Sequence, residues 1–136
     1  MSTLQAANIQ SLSSATLPVI KDSAGTEYGR FCRAFVNFNG STNVINGSFN
    51  VSSTTKNGTG DYTVNFTNAM VDANYSVVTT CSVIADQGSA YQFGPQIPAA
   101  GTTTSALTSK TSSLIRMQCR REANYDLADA NVSIFR

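Results

Sequence analysis

The chain has 136 residues, with 9 Lys and Arg against 8 Asp and Glu, 12% charged residues, and neither His nor Trp. Without imidazole there is no Ser-His-Asp or Cys-His nucleophile pair and no His-ligated metal, and a net charge of +1 argues against binding nucleic acid by phosphate neutralisation. With 17 Ser, 16 Thr and 12 Asn, a third of the chain is small, uncharged and hydrogen-bonding, which weakens helices and suits half-solvated strands and turns. The expectation is an all-β protein that is not an enzyme, with no cofactor and no bound metal.

Residues 1–29 hold scattered aliphatics at Leu4, Ile9, Leu12, Leu17, Val19 and Ile20, and no aromatic before Tyr28. The run Asp22-Ser-Ala-Gly25 signals a turn. This segment reads as an extended arm with one or two short strands. Its apolar surface is too small to fold alone, so it either packs on a neighbour or stays mobile. Residues 1–20 have no cationic start, continuous apolar core or small-residue cleavage site. Neither a signal peptide nor a membrane span is expected, which places synthesis and assembly in the cytoplasm.

A second region, 30–136, reads as an antiparallel β-sandwich. Residues 31–38 alternate, with Cys32, Ala34, Val36 and Phe38 on one face and Phe31, Arg33, Phe35 and Asn37 on the other. Aromatics on both faces suggest a subunit contact through Phe31 and Phe35, or packing of both under the loop 85–109. Next, SFNVSSTT, KNGTG and DYTVNFT predict a hairpin around a loop of about five residues, with Phe49 and Val51 on one face of its first strand. Asp61 is expected to end that loop. Residues 75–84 and 112–120 predict further strands, and a polar turn from Glu122 to Asp129 precedes a closing strand NVSIFR. Between them, 85–109 reads as a long irregular loop of the kind that is usually functional or mobile. Such spacing of short strands and turns describes a sandwich.

Cys32, Cys81 and Cys119 are odd in number and lack zinc or redox spacing, so they read as small buried hydrophobes, with a disulfide between two of them as the alternative. Seven Asn-x-Ser/Thr triplets follow from the abundance of these residues and read as composition, not as glycosylation sites.

The segments CRAFVNFNG (32–40) and SFNVSSTTKNGTGDYTVNFTNAMVDANYSVV (48–78), with the closing NVSIFR, resemble a domain of tailed bacteriophages. That domain occurs in short virion proteins and at the C-terminal ends of tail-fibre-like proteins. The run Gly58 to Phe66 carries most of the likeness, while Phe35 stands where the family often has Trp. The resemblance covers about 30–84 well and 85–130 loosely. It implies a virion structural role, a β-sandwich like that of the H-type lectins, and a homotrimer that meets other virion proteins. It implies no known ligand.

Two groups are candidate ligand or subunit contacts. Arg116, Arg120 and Arg121, with Tyr125, form a basic cluster able to grip sugar hydroxyls or an anionic glycan, or else to pair locally with carboxylates at a strand end. Tyr91 and Phe93 offer aromatic platforms for carbohydrate, or else fold back as a cap. Leu4, Ile9, Leu12, Leu17, Ile20, Phe31 and Phe35 are candidate anchor or oligomer contacts. The leading expectation is a tail-fibre or receptor-binding module engaging a host surface glycan and attached through its arm. The alternatives are a decoration protein of the capsid or tail wall and a free carbohydrate-binding module.

Overall fold

In a computed structural model the described residues are 18–83, 92–95, 110–120 and 125–136, and all of their regular structure is antiparallel strand. The chain divides into two compact units, residues 1–31 and 32–136. Within the first unit, β1 (Val19–Lys21) pairs with β2 (Glu27–Arg30) in a short hairpin. Asp22 closes its turn, its Oδ1 accepting the backbone N–H groups of Ala24 and Thr26, while Gly25 takes a φ of +85°. An Asp side chain bonded two residues ahead is the local device that the Asp-Ser-Ala-Gly run encodes.

The second unit is a sandwich of two four-stranded sheets. One sheet has the order β4-β3-β10-β7, built from β3 (Cys32–Asn39), β4 (Val44–Phe49), β7 (Ser76–Val83) and β10 (Leu127–Phe135). The other has the order β5-β6-β9-β8, built from β5 (Val51–Gly58), β6 (Asp61–Phe66), β8 (Gln92–Pro95) and β9 (Leu114–Arg120). Alternation decides what lies between them. Ala34, Val36 and Phe38 from β3 and Ala130, Val132 and Ile134 from β10 meet Tyr62, Val64, Phe66, Ile115, Met117 and Cys119 from β6 and β9 in one buried cluster. Phe38 and Tyr62 pack edge to face at 5.3 Å, as do Phe66 and Tyr75 at 5.8 Å.

The strand at 32–39 keeps the predicted division of its faces, and in β9 Ile115, Met117 and Cys119 face the core. The hairpin requires correction. Asn50 stands in the left-handed region at φ 54° and ends β4, so Phe49 and Val51 belong to different strands in different sheets. Its side chain holds the corner, with Nδ2 donating to the carbonyls of Arg33 and Asn68 and Oδ1 accepting the Asn68 N–H at 2.8 Å. Asn tolerates this backbone better than most residues, and its amide satisfies the groups that the sheet crossing leaves unpaired.

The loop is shorter than expected too. Lys56 pairs with Tyr62 and Gly58 with Asp61, leaving Thr59 and Gly60 as the turn. Asp61 opens β6 directly after that turn, at the start of the predicted second strand. The last strand starts at Leu127, four residues before the predicted NVSIFR, and Gln92–Pro95 forms a strand inside the stretch read as irregular. All three cysteines are free thiols, with Cys119 buried in the core and the other two half-buried.

Candidate functional site

The outer face of the β4-β3-β10-β7 sheet collects the side chains that the core leaves out. Register places Phe49, Phe35, Ser133 and Val78 side by side in one row across the four strands. Phe35 is 43% exposed, Phe49 55%, Val78 54% and the neighbouring Phe135 36%, so this is an open apolar surface and not a second core. The rings of Phe35 and Phe49 lie 6.4 Å apart and inclined by 30°, unlike the edge-to-face pairs inside the sandwich. Both rings come from the same cause: the alternation that buries Ala34 and Val36 must turn Phe35 outward, and the break at Asn50 turns Phe49 onto the neighbouring strand.

The next row is polar. Asn37 donates to Asp129 Oδ1 at 2.6 Å and to Asn131 Oδ1 at 2.8 Å, accepts from Asn46 at 2.8 Å, and Asn131 donates to Asp129 Oδ2 at 2.7 Å. Four side chains from three strands thus bond to one another. Asn46 joins them because a bulge between Asn37 and Phe38 brings it to the row. On the opposite side of the phenyl row, two residues before Phe35 on β3, stands Arg33. It is half-buried, and burial lowers its guanidinium pKa below the ordinary arginine value.

A second polar concentration sits at the turn end of the β5–β6 hairpin. Arg116 makes a bidentate pair with Asp61, at 2.9 and 2.5 Å, and Asn57 donates to the same carboxylate. Arg116 holds the Asp61 carboxyl below the usual carboxylate range against the cost of its burial. Asp126 accepts from Lys56 Nζ at 2.6 Å, the Gly60 N–H at 3.0 Å and the Tyr62 hydroxyl at 3.2 Å. Burial opposes ionisation of Asp126, but Lys56 and the two other donors outweigh it and hold its carboxyl below the usual range. The Tyr62 oxygen also accepts the Leu127 N–H, and burial pushes its phenol well above the ordinary tyrosine value. Gly40 leaves room for that phenol, since a Cβ there would lie 2.6 Å from its oxygen.

This cluster is a structural clasp. It ties the hairpin turn to the start of β10, and each carboxylate in it already has a cationic partner. Arg116 is thus brought to Asp61 on the adjacent strand, and Tyr125 lies beside Gly60, half-buried against the core. Tyr91 and Arg121 lie outside the described residues, as do the side chains of Phe93 and Arg120, and so do Leu4, Ile9, Leu12 and Leu17. In the first unit, Ile20 and Phe31 are exposed. Among the described residues no group of three or more Cys, Asp or Glu side chains could hold a metal ion, and no helix is long and apolar enough to cross a membrane. Sequence reasoning missed Phe49 as a partner of Phe35. The signal available was Asn50 itself, since Asn is among the few residues that tolerate the left-handed backbone a strand break can require.

No protein-family model matches the chain, and no curated protein matches it. Among solved structures it is similar to the phiAB6 tailspike, described in complex with three-repeated oligosaccharides of Acinetobacter baumannii surface polysaccharide. The TM-score is 0.44 at 18% identity, over 96% of this chain and 30% of that one. The chain therefore spans less than a third of the length of that neighbour, and the likeness is too weak to carry a functional argument.

Proposed function

We propose that the chain is the β-sandwich module of a tailed-phage virion protein, a short tail-fibre or receptor-binding piece. In this reading it forms a homotrimer, is attached through residues 1–29, and engages a host surface glycan by binding and not by catalysis. The resemblance of 32–40 and 48–78 supports the virion role, and those residues build β3 to β7 of the sandwich. The observation that carries the binding role is the open aromatic row of Phe35 and Phe49 on a sheet face whose neighbouring polar groups are already ordered. A face so exposed and so preorganised serves recognition. The carboxylates Asp61 and Asp126, by contrast, are committed to Arg116 and Lys56.

The experiment is adsorption blocking. Purified protein, added before phage, is expected to reduce attachment to host cells in proportion to its concentration, and particle counting should give a few copies per virion. Hundreds of copies per particle, or full adsorption in the presence of saturating protein, would refute the receptor-binding role. Removing residues 1–29 should leave a folded sandwich that no longer enters particles. Normal incorporation of that truncation would refute attachment through the arm.

A further inference from the structure

The guanidinium of Arg33 has no hydrogen-bond or ion-pair partner among the described residues, although it is half-buried and partly stripped of water. Every other arginine whose side chain is described has a carboxylate: Arg30 with Glu27, Arg116 with Asp61, Arg136 with Asp72. Among the arginines whose side chains are described, Arg33 is therefore the one left open to a carboxylate from outside the chain. Its position gives that opening a context. Arg33 and Phe35 project from the same face of β3, Phe49 pairs with Phe35 from β4, and Phe135 of β10 pairs with Cys32 beside Arg33. Register thus sets a cation on the same sheet face as three exposed phenylalanines, within one or two strand positions of them.

We propose that this face binds an acidic saccharide, with Arg33 pairing its carboxylate and the Phe35, Phe49 and Phe135 rings packing on the C–H faces of its pyranose rings. The proposal rests on the glycan-binding reading above and names the ligand class and the site. The charge pattern selects this occupant over a second copy of the chain. Among the described residues, the strands of that face carry one carboxylate, Asp129, and that group is already bonded by Asn37 and Asn131 at the far side of the phenyl row. A free carboxylate sugar meets both requirements at once, since Arg binds carboxylates through two parallel N–H bonds and phenyl rings cover apolar sugar faces. The cross-bonded Asn37, Asn131 and Asp129 row then forms a rigid polar border and not the primary contact.

The test is a titration of the full chain, followed by backbone amide NMR and calorimetry, with trigalacturonic acid and N-acetylneuraminic acid as acidic probes and galactose oligomers as the neutral one. An acidic probe is expected to bind at least about tenfold tighter than the neutral one, the scale of a charge-assisted pair, with weakening by salt. The shifted amides should lie on β3, β4 and the end of β10. Arg33→Met should erase the preference for the acidic probe, and Phe49→Ser should weaken every saccharide while leaving the preference. Thermal melting of both variants, equal to that of the parent, verifies folding. Failure of both acidic probes to bind, or equal binding by Arg33→Met, overturns the site. So does a change of oligomeric mass on Phe35→Ser or Phe49→Ser, which would make the face a subunit contact. If the chain blocks adsorption and Arg33→Met blocks it equally, the receptor-binding role stands and this site falls. If acidic sugar binds and adsorption is untouched, the site stands without that role.

Discussion

Gly60→Ala is the sharpest perturbation of the clasp. Gly60 has a φ of +64°, a region that costs an alanine about 1–2 kcal/mol relative to its preferred backbone. A Cβ at this position would lie 2.6 Å from the Tyr125 carbonyl oxygen, 2.7 Å from its nitrogen and 2.8 Å from the Cys119 carbonyl oxygen. All three are backbone atoms, so relief requires moving the chain between β9 and β10, and over-packing of this kind costs about 1–3 kcal/mol. The movement also pulls the Gly60 N–H away from Asp126, which binds it at 3.0 Å. The sum is about 3 kcal/mol, equivalent to a drop of roughly 10–15 °C in melting temperature for a unit of this size. Gly58 supplies the control, because a Cβ there meets nothing within 4 Å. Gly58→Ala is expected to change stability by less than about 1 kcal/mol. Both are read by calorimetric melting and urea unfolding. If Gly60→Ala melts with the parent, the tight approach of the turn to Tyr125 is wrong.

Asn50→Ala removes three side-chain hydrogen bonds and puts alanine at φ 54°, so a loss of about 2 kcal/mol is expected in urea unfolding, with a smaller loss for Asn50→Gly. Equal losses for the two would show that the left-handed backbone at position 50 costs alanine nothing, and no loss for Asn50→Gly would show that the amide contributes nothing. Tyr62→Phe leaves the Leu127 N–H without its acceptor in the core and should cost about 1–3 kcal/mol; a neutral result would mean that water takes the hydroxyl's place. The Asp61 pKa is lowered in the folded state, so its contribution is complete above the unfolded carboxylate value of about 4 and is lost as pH falls through the folded value. The stability gap between the parent and Asp61→Asn should therefore be wide near neutral pH and close in acid, and a pH-independent gap would contradict the pairing with Arg116. Burial pushes the Cys119 thiol up to about 12, so iodoacetamide at mildly alkaline pH should label Cys32 well before Cys119. Matching rates would place Cys119 outside the core.

Much of the sandwich is legible in local pattern, and the reason is that alternation is a property of neighbouring residues. Cys32 to Phe38 and Ile115 to Cys119 announce which side faces the core, and the Ser, Thr and Asn content announces strands with solvated faces. The errors fall where a distant contact decides. Phe49 and Val51 read as one strand until Asn50 is latched to Arg33 and Asn68, residues that only the sheet crossing brings near. Asp61 reads as a turn residue until the β6–β9 register sets Arg116 beside it. Leu127 to Asp129 read as the end of a polar turn, yet pairing with β7 recruits them into the last strand.

The sequence alone determined an all-β chain, its core-facing residues and its low charge, because hydrophobic periodicity and composition act within a few residues. The tertiary structure decided which sheet each strand joins, which arginines have carboxylates, and that Phe35, Phe49, Phe135 and Arg33 share one open face. Those facts depend on register between strands that lie far apart in the chain. No local spacing encodes that register; only closure of the common core selects it.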